Sequence, residues 1–370
     1  MDEQLLIDQI YEASVVPELW PSLLESIADH TGSHGGALLA IDPEAAVTAF
    51  SGSERYKTTE SYARTYQAYY ESDVRYVNPR FQRAVSRRQW MFQSDLAMCS
   101  VDELRQDPIY RDFLYPMGIE WTVGCPIPVP SADIVIFDFC RKAGDNPFDD
   151  TTVGEFNRLR PHLARAAFVA ARLGLDRART ATETLTAVGL PGAALRASGK
   201  VIAANPLFDR LAPRISAAAQ DRLVVADARA ARAVQMVFDG FNGGKMDCSH
   251  SIPIAAEADL PPLVMHLLPV RRAAAEIFAS TDLLLIVTPV IAPATALAHV
   301  LEGLFDLTVA ETLLARAMAS GSSLNDFAAG RGISPETARK QLKTVMLKTG
   351  THRQSDLVRL LAGAAPIGNQ

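Results

Sequence analysis

The sequence predicts an α+β protein in which two antiparallel-sheet modules are joined by a long helix and followed by an all-α unit. Apolar strand patterns occur in residues 1–150 and again in residues 182–292. Between them, residues 151–181 repeat apolar side chains at helical spacing. Residues 306–370 contain helix start and stop signals without strand patterns, and residues 293–305 form the linker to this last unit.

The composition is that of an ordinary globular protein, but its charge is unevenly distributed. The 370 residues are 48% hydrophobic and 21% charged, with a net charge of −6. From Leu301 onward there are eight Lys and Arg and six Asp and Glu residues, so this part carries +2 and the preceding part carries −8. The negative net charge argues against a protein that binds nucleic acid over its whole surface. This uneven distribution of charge predicts acidic N-terminal modules and a basic C-terminal unit.

The first module is predicted from N-terminal helices and later strands. Leu5 to Ile27 is an amphipathic helical stretch interrupted by Pro17 and Pro21, and Gly36 to Ile41 is a strand. Two more strands follow, the second at Ile134 to Cys140. This order of elements resembles that of GAF and PAS domains, in which an antiparallel sheet is flanked by helices.

A tyrosine-rich helix between these strands predicts a ligand pocket. Its rings recur at helical spacing, and a carboxylate and then a tryptophan follow. A pocket of aromatic rings with one carboxylate suits a small organic ligand that carries an amide or amine. The alternative is that the rings fill the core and the carboxylate caps a helix. The candidate ligand-binding residues are Tyr62, Tyr66, Tyr70, Asp73 and Trp90.

Three elements of this module occur in a characteristic order. They are the tyrosines before Asp73, then Trp90, and then Met117-Gly118-Ile119 ahead of a strand that turns at Pro126. In this order the module resembles the autoinducer-binding domain of quorum-sensing regulators. The resemblance implies that Asp73 accepts an amide N–H of the signal, that Trp90 donates to a carbonyl, and that the tyrosines line the cavity.

One apolar stripe runs along the predicted helix from Thr152 to about Val188. Its members alternate at spacings of three and four, and so narrow a stripe is typical of a helix–helix seam. We therefore expect this helix to pair with its twin in a homodimer and to relay motion from the first module. The stripe consists of Phe156, Leu159, Leu163, Ala166, Ala170 and Leu173.

The second module opens with two short strands, which are joined at Ser198-Gly199 and followed by a helix start at Asn205-Pro206. This passage resembles the opening of a PAS domain, and three later strand patterns fit the rest of that fold. The resemblance implies an interaction and relay module. The predicted strands run from Ala193 to Leu195, Lys200 to Ala203, His250 to Ala255, Leu263 to Pro269 and Asp282 to Thr288.

No cofactor, metal or catalytic site is expected. His250 and His266 are the available haem ligands of the second module, but both lie in alternating strand patterns, where a structural histidine is favoured. Cys248 comes too late in the chain for flavin photochemistry, and no cysteines have zinc-ligand spacing. Residues 240–246 lack the leading glycine and the Ser or Thr of a phosphate-binding loop. We therefore expect a protein that is not an enzyme.

The C-terminal unit is predicted to contain three consecutive capped helices. Capping pairs begin the first two, and Ser334 with Pro335 begins the third. On the third helix, Ala338, Leu342 and Val345 recur at spacings of four and three, so they face a core. The capping pairs are Thr308 with Glu311 and Ser323 with Asp326, and the cations left pointing outward are Arg339, Lys340, Lys343 and Lys348.

A set of motif residues spans this unit: Leu307-Thr308-x-x-Glu311, Gly321, Ala328, Ile333-Ser334, Thr337, Lys348 and Gly350. In this set it resembles the LuxR-type helix-turn-helix domain. The resemblance implies double-stranded DNA as a partner, with the helix from Pro335 to about Leu347 in the major groove. The implied base-edge residues are Arg339, Lys340 and Lys343, and the implied phosphate-binding residues are Thr337 and Lys348.

Together these features predict a cytoplasmic, homodimeric transcriptional regulator that senses a small molecule in its first module and binds DNA through its last unit. The uncharged run from Leu283 to Leu301 is broken by Pro289 and Pro293, so no membrane span is expected. The acidic N-terminus lacks the pattern of a signal peptide. The alternative is a protein-interaction adaptor whose sheet modules bind a partner protein, with DNA binding secondary.

Overall fold

The computed structural model describes residues 2–41, 47–53, 55, 83–84, 86–130, 133–242, 248–257, 260–270, 278, 281–290 and 298–363. Within these ranges the protein is α+β, with two five-stranded antiparallel sheets and a C-terminal group of helices. This confirms the coarse fold class predicted from the sequence. None of the helices in these ranges is long and apolar enough to cross a membrane.

The first sheet has the strand order β2-β1-β5-β4-β3, and all neighbouring strands are antiparallel. The sequence predicts β1, β4 and β5 but misses β2 and the two-residue β3. Half of the β2 residues are Ala, Ser or Gly, so its apolar run is weak. The strands are β1 Gly35–Ile41, β2 Val47–Gly52, β3 Gln93–Ser94, β4 Ile119–Pro128 and β5 Ile134–Lys142.

Two N-terminal helices pack against one face of this sheet: α1 Glu3–Val15 and α2 Trp20–His30, separated by a 3-10 turn at Pro17–Leu19. Pro17 opens the 3-10 turn, which confirms the predicted interruption there. Pro21 lies instead in the first turn of α2, where its missing N–H has no helical partner to lose. Two short helices, α3 Asp95–Met98 and α4 Val101–Gln106, follow β3.

A 38-residue helix, α5 Asp150–Ala187, leads out of the first module and is capped by Asp149. The predicted stripe from Phe156 to Ala170 is at most 6% exposed and packs in the core of the first module, while Leu173 is half-buried. The expectation that this stripe pairs with a twin helix is therefore wrong. The apolar face is covered by the protein's own sheet and by α1.

The second sheet has the strand order β10-β11-β12-β6-β7, again antiparallel throughout. Each of its five strands lies within one residue of its predicted bounds. They are β6 Gly192–Leu195, β7 Val201–Ala204, β10 His250–Ile254, β11 Leu263–Pro269 and β12 Leu283–Pro289. The segment between β7 and β10 holds α6 Pro206–Asp209, the paired strands β8 Ile215–Ala217 and β9 Leu223–Val225, and α7 Ala228–Asn242.

Asn205 joins three elements of the second module. Its side chain is buried and its amide donates to the carbonyls of Thr182 on α5 and of Leu190. Its carbonyl accepts from the backbone N–H of Gly192 on β6 and from that of Phe208 on α6. The C-terminal part of α5 is thereby fixed to the second sheet.

Two buried contacts join the modules. Asp133, in the turn before β5, accepts a hydrogen bond from the guanidinium of Arg196 at the end of β6; both side chains are at most 4% exposed, and Lys200 Nζ lies 3.8 Å from the same carboxylate. Phe278, between β11 and β12, packs in the first module's core, with its ring centroid 5.2 Å from that of Trp20. The modules thus share an ion pair and part of a core.

The C-terminal unit consists of helices around a small core of its own. This core contains Leu307, Leu314, Met318, Val345 and Leu357. Leu357, on the last helix, is fully buried there. The helices are α8 Ala298–Phe305, α9 Val309–Ala319, α10 Leu324–Arg331, α11 Pro335–Thr349 and α12 Gln354–Gly363.

We predict that Arg196→Met lowers the free energy of unfolding by about 3–5 kcal/mol, because it leaves the Asp133 carboxylate buried without its main partner. The double variant Asp133→Leu with Arg196→Met removes both charges and should cost clearly less. Urea unfolding of the full chain measures both values. A double variant that is less stable than Arg196→Met would show that the unpaired Asp133 carboxylate is not the cause of the loss of stability.

Candidate nucleic-acid interface and sensory face

The three helices for which the sequence predicts caps, α9, α10 and α11, each begin at the predicted residue. Thr308 accepts from the N–H of Glu311, whose carboxylate accepts from the N–H of Thr308, so α9 starts with a complete capping box. Ser334 accepts from the N–H of Thr337 at 3.1 Å, and Pro335 occupies the first turn of α11. Helix α10 departs in one detail. The Ser323 hydroxyl caps its backbone but also donates to the Asp326 carboxylate.

Helices α10 and α11 form a pair joined by a short turn. Gly332 has φ +64° and ends α10, because its left-handed conformation is easily adopted only by glycine. One face of α11 packs inward through Ala338 and Val345, which are both fully buried, and through Leu342, which is partly buried. The predicted core face of α11 is therefore confirmed.

The opposite face of α11 carries the predicted cations into solvent. The side chains of Thr337, Arg339, Lys340 and Lys343 are all exposed. Lys340 lies 4.0 Å from Glu336, but both side chains are about 80% exposed, so this pair contributes little. Within the described chain, Arg339 and Lys343 form no ion pair, and their charges are available to a partner.

Lys348 occupies a different position from the other cations. Its ammonium donates to the Asp306 carbonyl and to the Glu311 carboxylate, each at 2.8 Å, and its side chain is 28% exposed. The hydrogen bond from Lys348 and that from the Thr308 N–H hold the pKa of Glu311 below its ordinary value. The C-terminal end of α11 is thereby tied to the start of α9. The phosphate contact implied for Lys348 stays a prediction.

Most of the predicted ligand-binding residues lie outside the described residues. These are Tyr62, Tyr66, Tyr70 and Asp73. Trp90 is described, and its side chain is half-buried. The proposed aromatic pocket therefore remains a prediction.

The sheet face turned away from α1 and α5 combines an apolar cluster with one buried polar group. The cluster includes Leu39, Leu104 and Cys140. At its edge the fully buried Asp95 accepts from the Tyr110 hydroxyl at 3.0 Å and from the Thr122 N–H at 2.8 Å. Sequence reasoning missed Asp95, although its place at a helix start marks it as a helix N-terminal acid.

The two candidate haem ligands of the second module lie on strands β10 and β11. His266 is held through both ring nitrogens, with Nδ1 2.8 Å from the Ser251 hydroxyl and Nε2 3.0 Å from that of Thr288. His250 Nε2 lies 3.6 Å from Cys248 Sγ. His266 therefore bridges three strands as a structural histidine. The residues that the structure describes contain no group of three or more His, Cys, Asp or Glu side chains that could hold a metal ion.

No protein-family model matches this chain, and no curated protein matches it either. Among solved structures, the LBD domain of VqsR from Pseudomonas aeruginosa matches 46% of this chain and 96% of its own, at 13% identity and a TM-score of 0.35. SdiA from Escherichia coli matches 95% of this chain and 92% of its own, at 9% identity and a TM-score of 0.29.

CepR2 from Burkholderia cenocepacia, described as an N-acylhomoserine lactone dependent LuxR family transcription factor, shows a similar level of likeness. It matches 46% of this chain and 97% of its own, at 12% identity and a TM-score of 0.32. These scores are too low for the likeness to carry a functional argument.

We predict that Lys348→Met lowers the melting temperature at neutral pH, at a cost of roughly 1–2 kcal/mol for the lost charged hydrogen bonds. The pKa of Glu311 is depressed in the folded state, so its stabilising contribution is present above its ordinary value of 4.5 and is lost as the pH falls through the folded value. The gap between wild type and variant should therefore close on acidification below that pH.

Melting curves of the two proteins at neutral pH and at a pH below the folded pKa of Glu311 measure this gap. Lys348→Arg keeps a cation within reach of Glu311 and serves as the matched control, with stability close to wild type. A gap of equal size at both pH values would show that Lys348 acts by packing and not through the ion pair.

Proposed function

We propose that this protein is a cytoplasmic LuxR-type transcriptional regulator that binds double-stranded DNA through α11. One observation carries the proposal: α11 buries one face in the C-terminal core and exposes Arg339, Lys340 and Lys343 on the other. A rigid helix with exposed cations, placed after a short turn from a preceding helix, is the arrangement that enters a major groove. An adaptor function requires no such face.

The chemistry of the exposed residues divides them into two roles. Arg339 and Lys343 are four residues apart and so project from the same side of α11, where both can reach base edges. Lys340 lies beside them. Thr337 lies in the first turn of α11, where the positive end of the helix dipole favours a phosphate and the Thr337 hydroxyl can contact it from the solvent-exposed side. The acidic charge of the rest of the chain confines DNA to this surface.

We also propose that the first module controls DNA binding by α11. We propose that a small organic ligand occupies a pocket containing Tyr62, Tyr66, Tyr70, Asp73 and Trp90. The module supports such a role because α5 runs from its core to the second sheet. A structural change in the first core can therefore be transmitted along this helix to the second module. A ligand shifts the two states of a protein only by its differential affinity for them.

We predict that Arg339→Ala and Lys343→Ala each relax discrimination at particular base pairs of the operator, at a cost of roughly 1–3 kcal/mol for a bidentate contact. Fluorescence anisotropy with the operator, with single-base variants of it and with random duplexes measures the effect. The loss should be larger on the operator than on random DNA.

Arg359→Ala is the matched control for these two variants. Arg359 lies on α12, its side chain is 84% exposed, and its removal deletes the same charge from the same unit. The affinity of the Arg359→Ala variant for operator and for random DNA should stay close to that of the wild type. If Arg339→Ala and Lys343→Ala lose equal affinity for operator and random DNA, α11 binds phosphates without reading the base sequence.

We also predict that Asp73→Asn weakens binding of an amine or amide ligand while leaving the fold nearly intact, because it removes the charge and preserves the size. Ligands that co-purify with the wild-type chain are identified by native mass spectrometry, and their effect on the melting temperature is compared in the two proteins. If Asp73→Asn lowers the melting temperature without any ligand, Asp73 is a structural cap and the pocket is misplaced.

A further inference from the structure

The exposed side of α11 contains one carboxylate among its cations. Glu336 is the only acid in the fifteen residues of this helix, and its side chain is 80% exposed. It lies in the first turn, close to the turn that joins α10 to α11. The N-terminal residues of a recognition helix are the ones that contact base edges, so Glu336 occupies a position from which a base can be contacted.

Glu336 lies on the side of α11 that faces away from the C-terminal core. Successive residues of a helix are about 100° apart, so Glu336 is about 180° from the fully buried Val345. By the same measure Lys340 is about 40° from Glu336 in one direction. In the other direction Lys343 is about 20° away and Arg339 about 60° away. The carboxylate therefore lies in the middle of the exposed cations.

The interactions of Glu336 inside the protein are weak. Its Oε1 lies 4.0 Å from Lys340 Nζ, and both side chains are about 80% exposed, so solvent screens this pair. The helix dipole favours a carboxylate in the first turn, but it does so whichever way the carboxylate points. Neither interaction requires the carboxylate to lie among the cations of the exposed face.

A carboxylate at this position lowers the affinity of α11 for DNA in general. Phosphates repel it, and it offsets part of the positive charge that attracts them. The major groove offers one compensation, because the exocyclic amino groups of cytosine and adenine are hydrogen-bond donors. A carboxylate only accepts hydrogen bonds, so these amino groups are the base atoms that can bind it. Glu336 therefore favours sequences that place an amino group opposite it.

The neighbouring ammonium group of Lys340 distinguishes cytosine from adenine. A C·G pair presents the cytosine N4 donor beside two adjacent guanine acceptors, O6 and N7, whereas in an A·T pair the donor lies between two separate acceptors. Lysine binds the adjacent guanine acceptors, and glutamate accepts from cytosine N4. Glu336 and Lys340 present one acceptor and one cation side by side, which matches the pattern of a C·G pair.

We propose that Glu336 is a specificity-determining residue that accepts a hydrogen bond from the N4 amino group of a cytosine, while Lys340 donates to the guanine of the same base pair. This inference rests on the proposed function and adds to it one base pair of the operator half-site. It gives Glu336 opposite effects on two kinds of DNA. The carboxylate strengthens binding to duplexes with this C·G pair and weakens binding to all others.

Parallel selection of duplexes from a random pool, by the wild-type full chain and by its Glu336→Gln variant, tests the assignment. The wild type should enrich a C·G pair at one position of each half-site. Glutamine has the size of glutamate, but its amide pairs with adenine N6 and N7. Glu336→Gln should therefore enrich an A·T pair at that position and leave the other positions unchanged. A structural role of Glu336 would not change the preferred base.

The Glu336→Ala variant tests the two opposite effects by fluorescence anisotropy. Its affinity for the selected duplex should fall about tenfold, because the contact with cytosine is lost. Its affinity for random duplexes should equal or exceed that of the wild type, because the repulsion of phosphates is lost too. Asp356→Asn is the matched control. Asp356 is also an acid in the first turn of its helix and pairs with Arg359 three residues later, so its removal should change neither affinity.

Two results would overturn the role of Glu336 and leave the proposed function intact. One is a wild-type motif that Glu336→Gln selects without any change of base. The other is an equal loss of affinity for selected and random duplexes in Glu336→Ala. A wild type that enriches no motif at all would refute the proposed function, and this inference with it.

Discussion

The arrangement of this protein depends on one helix that is buried in the core of the first module and hydrogen-bonded to the second module. Helix α5 is about 57 Å long at 1.5 Å per residue, and its first half buries a continuous apolar stripe against the first sheet. Its second half is fixed to the second sheet by the hydrogen bonds of Asn205. The buried pair of Asp133 with Arg196 and the insertion of Phe278 add side-chain contacts between the same two modules. The modules are therefore coupled by packing as well as by the chain.

The C-terminal unit obtains its rigidity from local chemistry. Capping residues begin α9, α10 and α11, and glycines with positive φ end α10 and α11, so the helix boundaries are set within each segment. The ion pair of Lys348 with Glu311 then fixes the far end of α11. A helix held at both ends can present exposed cations in a constant geometry, which direct base readout requires.

Features that depend on neighbours in sequence could be predicted, whereas those that depend on distant partners could not. The second sheet and the caps follow from alternation and from short-range hydrogen bonds, and their bounds agree with the structure. The stripe on α5 shows that one face is buried, but a pattern does not reveal that its partner is the protein's own sheet. The hydrogen bonds of Lys348 and of Asp95 could not be predicted for the same reason. Their partners Glu311 and Thr122 lie 37 and 27 residues away.

The most direct test of the central claim, that α11 reads double-stranded DNA, is to select duplexes from a random pool with the full chain at physiological salt and to sequence them. We expect an enriched motif made of two inverted half-sites, with centres about 10 base pairs apart or a multiple of that spacing. Loss of this enrichment when Arg339 and Lys343 are replaced by alanine would locate the reading surface. Retention of duplexes without any motif, or no retention at all, would show that α11 does not read the sequence of double-stranded DNA.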